Sequence, residues 1–170
     1  MLVSQACIVA DPPEYQEPVQ TRPVLDTASA VPLSAPVLVV DSSNKNGVKF
    51  TVPVRSEDAG ENLLARFVLD YGAASEDTLG FPRIPASTYT DTGRSAKLEG
   101  WIPKPTLKDC HVITLIVAHE STFTNLNIAK LDPIKAREDA AFMNWWVNID
   151  PALDATQTLK NCPVPLLPAP

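Results

Sequence analysis

Apolar and polar residues alternate along several stretches of this chain, with the period of two that a half-buried β-strand requires. In GVKFTVPVRSED, Val48, Phe50, Val52 and Val54 fall on one face, and Lys49, Thr51 and Arg55 on the other. LLARFVLDY sets Leu63, Ala65, Phe67 and Leu69 against Leu64, Arg66, Val68 and Asp70, so its second face is mixed. The SEDAGEN stretch between these strands is turn chemistry. An earlier apolar run, APVLVVD, is followed by the turn residues SSNKNG, and KLEGWIP predicts a short strand that proline ends. CHVITLIVAHE is apolar on both faces, as a strand in the middle of a sheet must be. In FMNWWVNID, Met143, Trp145, Val147 and Ile149 share one face, and Phe142, Asn144, Trp146, Asn148 and Asp150 share the other.

One helix is expected. Asp132 caps it, Pro133 suits its first position, and IKAREDAA supplies about two turns. The pattern therefore predicts an all-β fold: an antiparallel β-sandwich with one short helix between the last two strands. A closed barrel is the alternative. The strand order over about residues 36–150 resembles that of immunoglobulin-like and fibronectin-type domains. The Cys, Trp, Cys pattern of true immunoglobulin domains is absent, and the resemblance implies architecture rather than activity.

Composition sets the domain limits. With 170 residues, 45% of them hydrophobic, the chain suits one ordinary domain. Six of its 17 prolines lie between Pro12 and Pro36 and four lie in the last eight residues. Proline favours extended backbone, so both ends read as extended segments. The expected division is a residual signal segment at 1–6, a Pro-rich tether at 7–35, a sandwich at 36–162 and a Pro-rich tail at 163–170. A net charge of −6 argues against nucleic acid, whose phosphates call for clustered Lys and Arg. No run approaches the length of about 18 apolar residues that a spanning helix needs, so membrane attachment would require a covalent lipid.

Three cysteines leave at least one without an intramolecular partner. If the Cys110 strand pairs antiparallel with the last strand, the end of the latter lies beside Cys110. The tail then has a short path to bring Cys162 within the roughly 7 Å between Cα atoms that bridging allows. A Cys110–Cys162 disulfide is expected, with two buried thiols as the alternative. Such a bond would close a loop worth roughly 4 kcal/mol and imply an oxidising compartment. Cys7 is left over. It ends LVSQAC, which resembles the lipobox of bacterial lipoproteins, although Ser4 stands where that family usually has leucine. The resemblance implies acylation of Cys7 at its sulfur and at a new amino group, and hence a membrane partner. Ile8 after it, rather than aspartate, implies the outer membrane of the bacterial envelope.

Candidate chemistry is sparse. His111 and His119 share a strand and a face, but eight residues separate them by roughly 26 Å, too far to share a metal. Carboxylates gather at Glu57, Asp58 and Glu61 and again at Asp70, Glu76 and Asp77. Such loops can hold calcium, although the spacing fits no EF-hand and solvated acidic turns are the simpler expectation. Trp145 and Trp146 must point to opposite faces, and parity sends Trp145 inward. Trp146, with Phe142 and Asn144, then forms an aromatic-polar patch for a protein or sugar, unless the tail or residues 121–141 cover it. That segment carries Lys130, Lys135 and Arg137 and is long for a connection. No catalytic set or cofactor motif assembles, so no enzymatic activity is expected. The leading expectation is a lipid-anchored envelope protein with a structural or protein-contact role. A soluble, secreted ligand- or carbohydrate-binding module is the alternative.

Overall fold

A computed structural model describes residues 21–34, 37–40, 48–58, 60–73, 76–87, 94–102, 109–125, 130–131 and 136–149. Its strands are β1 (Val24–Leu25), β2 (Leu38–Val40), β3 (Val48–Ser56), β4 (Leu63–Leu69), β5 (Asp77–Gly80) and β6 (Arg83–Ile84). They continue with β7 (Arg94–Ile102), β8 (Asp109–His119), β9 (Phe123–Asn125), β10 (Lys130–Leu131) and β11 (Ala141–Ile149). A single helical turn, α1 (Ala136–Asp139), precedes β11.

Two sheets share one core. One has the order β1-β3-β7; the other has the order β2-β11-β8-β4-β5, with β6 also pairing β4. A separate β9–β10 pair lies between β8 and β11 in the chain. The alternation read from the sequence is what makes the sandwich. Phe50, Val52, Val54 and Leu98 from the smaller sheet meet Leu63, Ala65, Phe67, Ile113, Leu115, Val117, Met143, Trp145 and Val147 from the larger. All are buried, because each occupies the inward parity of its strand. Consecutive strands β3 and β4 lie in different sheets, so the Ser56–Asn62 stretch crosses between layers instead of closing a hairpin.

β8 is central in the larger sheet. It pairs antiparallel with β11 from Ala141↔Val117 to Ile149↔Asp109, and with β4 from Leu63↔His119 to Leu69↔Ile113. Its second face is also covered. Ile116 and Ala118 join Leu64, Val68, Phe123 and Ala140 in a smaller cluster, with Phe142 and Tyr71 packed against it. Phe123 and Ala140 come from the long segment between β8 and β11, so part of that segment seals the sheet's outer side.

Trp145 is the hub of the main core. It is fully buried, meets Phe50 edge-on at 4.9 Å and stacks near Phe67 at 6.3 Å between centroids. Its indole N–H donates to the Pro32 carbonyl at 2.8 Å, which satisfies its one polar atom.

Four features differ from the sequence expectation. Before β11 the described residues hold one α-helical turn, whereas about two turns were expected from Asp132 onward; residues 132–135 lie outside the description. The larger sheet is mixed, because β2 runs parallel to β11 from Leu38↔Val147 to Val40↔Ile149. Alternation reports which face a residue takes and carries no information on strand direction. The short strands β5 and β6 were not expected. Finally, the fold begins before residue 36. Val24 and Leu25 pair with Arg55 and Val54, Val31 bridges Thr51, and Ala30 is buried in the core. Pro23 and Pro32 flank these contacts at the edge of the smaller sheet, where a missing N–H costs little, so those two do not mark a free tether.

Replacing Trp145 with alanine should remove about 3–5 kcal/mol of stability, the usual range for deleting a buried aromatic. Val39→Ala, at a position 64% exposed, should change it by less than about 0.5 kcal/mol. Urea unfolding followed by circular dichroism measures both.

Candidate functional site

The outer face of the larger sheet carries the aromatic-polar patch. Even-numbered residues of β8 face outward, as Ile116 and Ala118 show by joining the outer cluster. Cys110, Val112 and Thr114 therefore share that face. The ladder sets Asn148 opposite Cys110, Trp146 opposite Val112, and Asn144 opposite Thr114, with Val68 on the other side of Thr114. Trp146, Asn144 and Phe142 are each half-buried. Phe142 packs into the outer cluster, so it belongs to structure as much as to surface. Thr114 is wholly buried. Its Oγ1 and the Oδ1 of Asn144 lack hydrogen-bond partners. Two unpaired oxygens on facing residues are costly, because each has lost water without gaining a donor.

Cys110 is buried at the end of this face and is disulfide-bonded, so it is not a titrating thiol. Its partner is not among the described residues. Cys162 and Cys7 both lie outside the description, and so does the expected pairing of Cys110 with Cys162.

The histidines sit at opposite ends of β8 and each meets an aspartate. The Nδ1 of His111 is 2.7 Å from Asp70 Oδ2, and Asp70 Oδ1 accepts from the Val112 N–H at 3.0 Å. Asp70 follows β4 with φ of 48°, a left-handed conformation that aspartate tolerates better than most residues. This backbone turn carries its carboxylate back onto β8.

At the other end, the wholly buried His119 places Nδ1 2.5 Å from Asp139 Oδ1. Asp139 Oδ2 accepts from the His119 backbone N–H at 2.7 Å and from the Thr122 hydroxyl at 2.5 Å. The Nε2 of His119 lies 3.5 Å from Asp58 Oδ2 and makes no hydrogen bond. That same Asp58 oxygen accepts from the backbone N–H and hydroxyl of Thr21. A polar cluster thus ties α1, the end of β8, the turn after β3 and the start of the described chain together. Burial pushes the Asp139 carboxyl upward, but hydrogen bonds from His119 and Thr122 outweigh it and hold the group below its usual range.

Five of the six acidic residues considered for calcium accept hydrogen bonds. Besides Asp58 and Asp70, Glu61 accepts from the Ser121 N–H, and Glu76 accepts from Arg66 and from the Gly72 N–H. Asp77 accepts from the Thr78 N–H. Glu120, outside that set, accepts from Asn62 and Arg83. Among the described residues, no group of three or more His, Cys, Asp or Glu side chains is placed to hold a metal ion. No helix of the described residues is long and apolar enough to cross a membrane.

The two Asp–His pairs were missed in the sequence because the partners are 41 and 20 residues apart. Only Asp70, at the end of a strand pattern and just before Gly72, gave a local hint of a turn.

No protein-family profile matches the chain, and neither does any curated protein. Among solved structures, the chain is similar to the calcium binding domain CBD12 of CALX1.1. Identity is 11%, the match covers 66% of this chain and 41% of that one, and the TM-score is 0.30. A likeness at that level fixes neither family nor ligand.

Asp139 stabilises the fold in its ionised form. Its folded-state affinity for a proton is lowered, so its stabilisation is present above the unfolded carboxyl value and drains away as pH falls through the carboxylate range. Asp139→Asn should cost on the order of 2 kcal/mol at pH 7, the scale of a hydrogen bond to a charged group. The variant and parent curves should converge only as pH falls below the ordinary carboxyl value of 3.8, as read by urea unfolding across the acid range.

Proposed function

We propose that this chain is a lipid-anchored envelope protein whose body is an immunoglobulin-like sandwich serving structure or protein contact. Strand order supports the architecture. Immunoglobulin constant-type domains set strands A, B, E and D against C, F and G, and variable-type domains add C′ beside C. With β1, β3 and β7 in the places of A, B and E, the strands β4, β8 and β11 take those of C, F and G, and β5 that of C′. The buried tryptophan stands on the last strand here, not on the third, which separates the chain from antibody domains.

The lipid anchor rests on the cysteine count. The observation that carries it is the disulfide-bonded state of Cys110 beside the end of β11, where Ile149 pairs with Asp109. Cys162 lies thirteen residues beyond that point, so pairing it with Cys110 needs only a short path and leaves Cys7, the last residue of LVSQAC, for acylation. Two or more acyl chains, each burying methylenes at about 0.8 kcal/mol apiece, give stable anchoring. The described fold starts at Thr21, so the linker proposed between anchor and body is shorter than residues 7–35.

The second reading, a soluble secreted module that binds a ligand or carbohydrate, draws on half-buried Trp146 beside the unpartnered Asn144 Oδ1. A glycan array separates it from the first: binding lost in Trp146→Ala favours it.

Expressed in a Gram-negative host with an export signal, the protein should partition with membranes, and its mass should show acyl groups on Cys7 as the first residue. Cys7→Ala should release it to the soluble fraction. An unmodified Cys7 in soluble protein overturns the anchor.

A further inference from the structure

We propose that His119 works as a proton-operated clasp: with both ring nitrogens protonated it joins Asp139 to Asp58 and so fastens Thr21 to the body, and loss of the Nε2 proton lets the Asp58 side open. Every group in this clasp belongs to the described sandwich, so it stands whether or not Cys7 is acylated.

The two ring nitrogens are in different situations. Nδ1 lies 2.5 Å from Asp139 Oδ1. Burial pushes the Asp139 carboxyl upward, but hydrogen bonds from His119 and Thr122 hold it below its ordinary value, so it is ionised at neutral pH. An ionised carboxylate only accepts, and the proton between the two therefore sits on Nδ1. Nε2 lies 3.5 Å from Asp58 Oδ2, wholly buried and without a hydrogen-bond partner. In the neutral ring its bare lone pair faces a carboxylate oxygen, and the two repel. A proton there reverses the sign, and an approach of about 0.3 Å completes a charge-assisted hydrogen bond. Burial disfavours the cation, but a carboxylate at each ring nitrogen offsets that cost.

The other charged groups on the surrounding elements are engaged elsewhere or face water. Glu120, next in the chain, accepts from Asn62 and from Arg83 of β6. Glu61, in the crossover between β3 and β4, accepts from the Ser121 N–H. Glu57, Glu138 of α1 and Arg22 beside Thr21 are exposed.

Opening is felt at Thr21. The Asp58 oxygen that faces Nε2 is the one that accepts from the Thr21 backbone N–H at 2.5 Å and from its hydroxyl at 2.8 Å. The Asp58 side chain is 23% exposed and can turn to water, whereas that of Asp139 is buried. Once Asp58 turns away, the hold on this stretch passes from Thr21 to β1, where Val24 pairs with Arg55. Histidine ordinarily releases its proton near pH 6.5. The clasp is closed on the acid side of the ring's own step and open on the alkaline side.

Full-length, nitrogen-15-labelled protein followed by NMR from about pH 5 to pH 9 tests this. Ring nitrogen shifts count the protons on His119, and the Thr21 amide reports the clasp. The expected result is two ring protons on the acid side, loss of the Nε2 proton alone on the alkaline side, and a Thr21 shift with the same midpoint. Asp58→Asn should abolish the Thr21 step, because an asparagine amide offers a bare Nε2 a donor and keeps an oxygen for Thr21. Beyond the step, Thr21 amide exchange should be several-fold faster in the parent than in Asp58→Asn at the same pH. The Trp145 indole N–H, bonded to the Pro32 carbonyl, reports an intact core in both proteins. Nε2 in one protonation state across the whole range overturns the clasp. So does a Thr21 amide that stays still while the ring titrates, or a Thr21 step that persists in Asp58→Asn. Titration of the unaltered protein decides the matter alone if the variant does not fold.

Discussion

The ladder along β8 is the constraint on which the rest depends. This strand is hydrogen-bonded on both edges, to β4 and β11, and buried on both faces. A one-residue slip would send Ile113, Leu115 and Val117 out of the main core and push Cys110, Thr114 and Ile116 into it. Register is therefore fixed by burial on two sides, and it places both histidines, the buried cysteine and the patch opposite Asn144 and Trp146. The candidate surface is a consequence of core packing.

The adjacent tryptophans show how that works. One sequence step carries Trp145 into an aromatic cluster with Phe50 and Phe67, and leaves Trp146 on the opposite face beside polar residues. The first fixes β11 in the core and, through the Pro32 carbonyl, ties the N-terminal stretch across the sandwich. The second stays half-buried on the outer face. The same division recurs on β4, where Phe67 is core and Arg66 is spent on Glu76 and Thr78.

The long strands were legible because each has a face that must be dry, and alternation records that requirement directly. Val48 to Val54, Leu63 to Leu69 and Met143 to Ile149 needed nothing else. The N-terminal stretch was misread because its prolines fit an edge as well as a tether. Two-residue strands such as β6 carry too few positions for a period to register. The Asp70–His111 and Asp139–His119 pairs depend on contacts across the sheet, so no local pattern announces them. The patch itself was visible by parity at Trp146, Phe142 and Asn144. What parity did not reveal was that the facing Thr114 is buried with its hydroxyl unpaired.

Two described residues, Thr21 and Ile149, lie at opposite ends of the sandwich. Thr21 is held at the His119 end through Asp58, and Ile149 leaves at the Asp109 end. Tension applied between Thr21 and Ile149 would run lengthwise through β11, dragging it parallel to its neighbours rather than peeling it from one end. Nine residue pairs with β8 would then resist together, as a lap joint does, and the body would transmit force well before it opened.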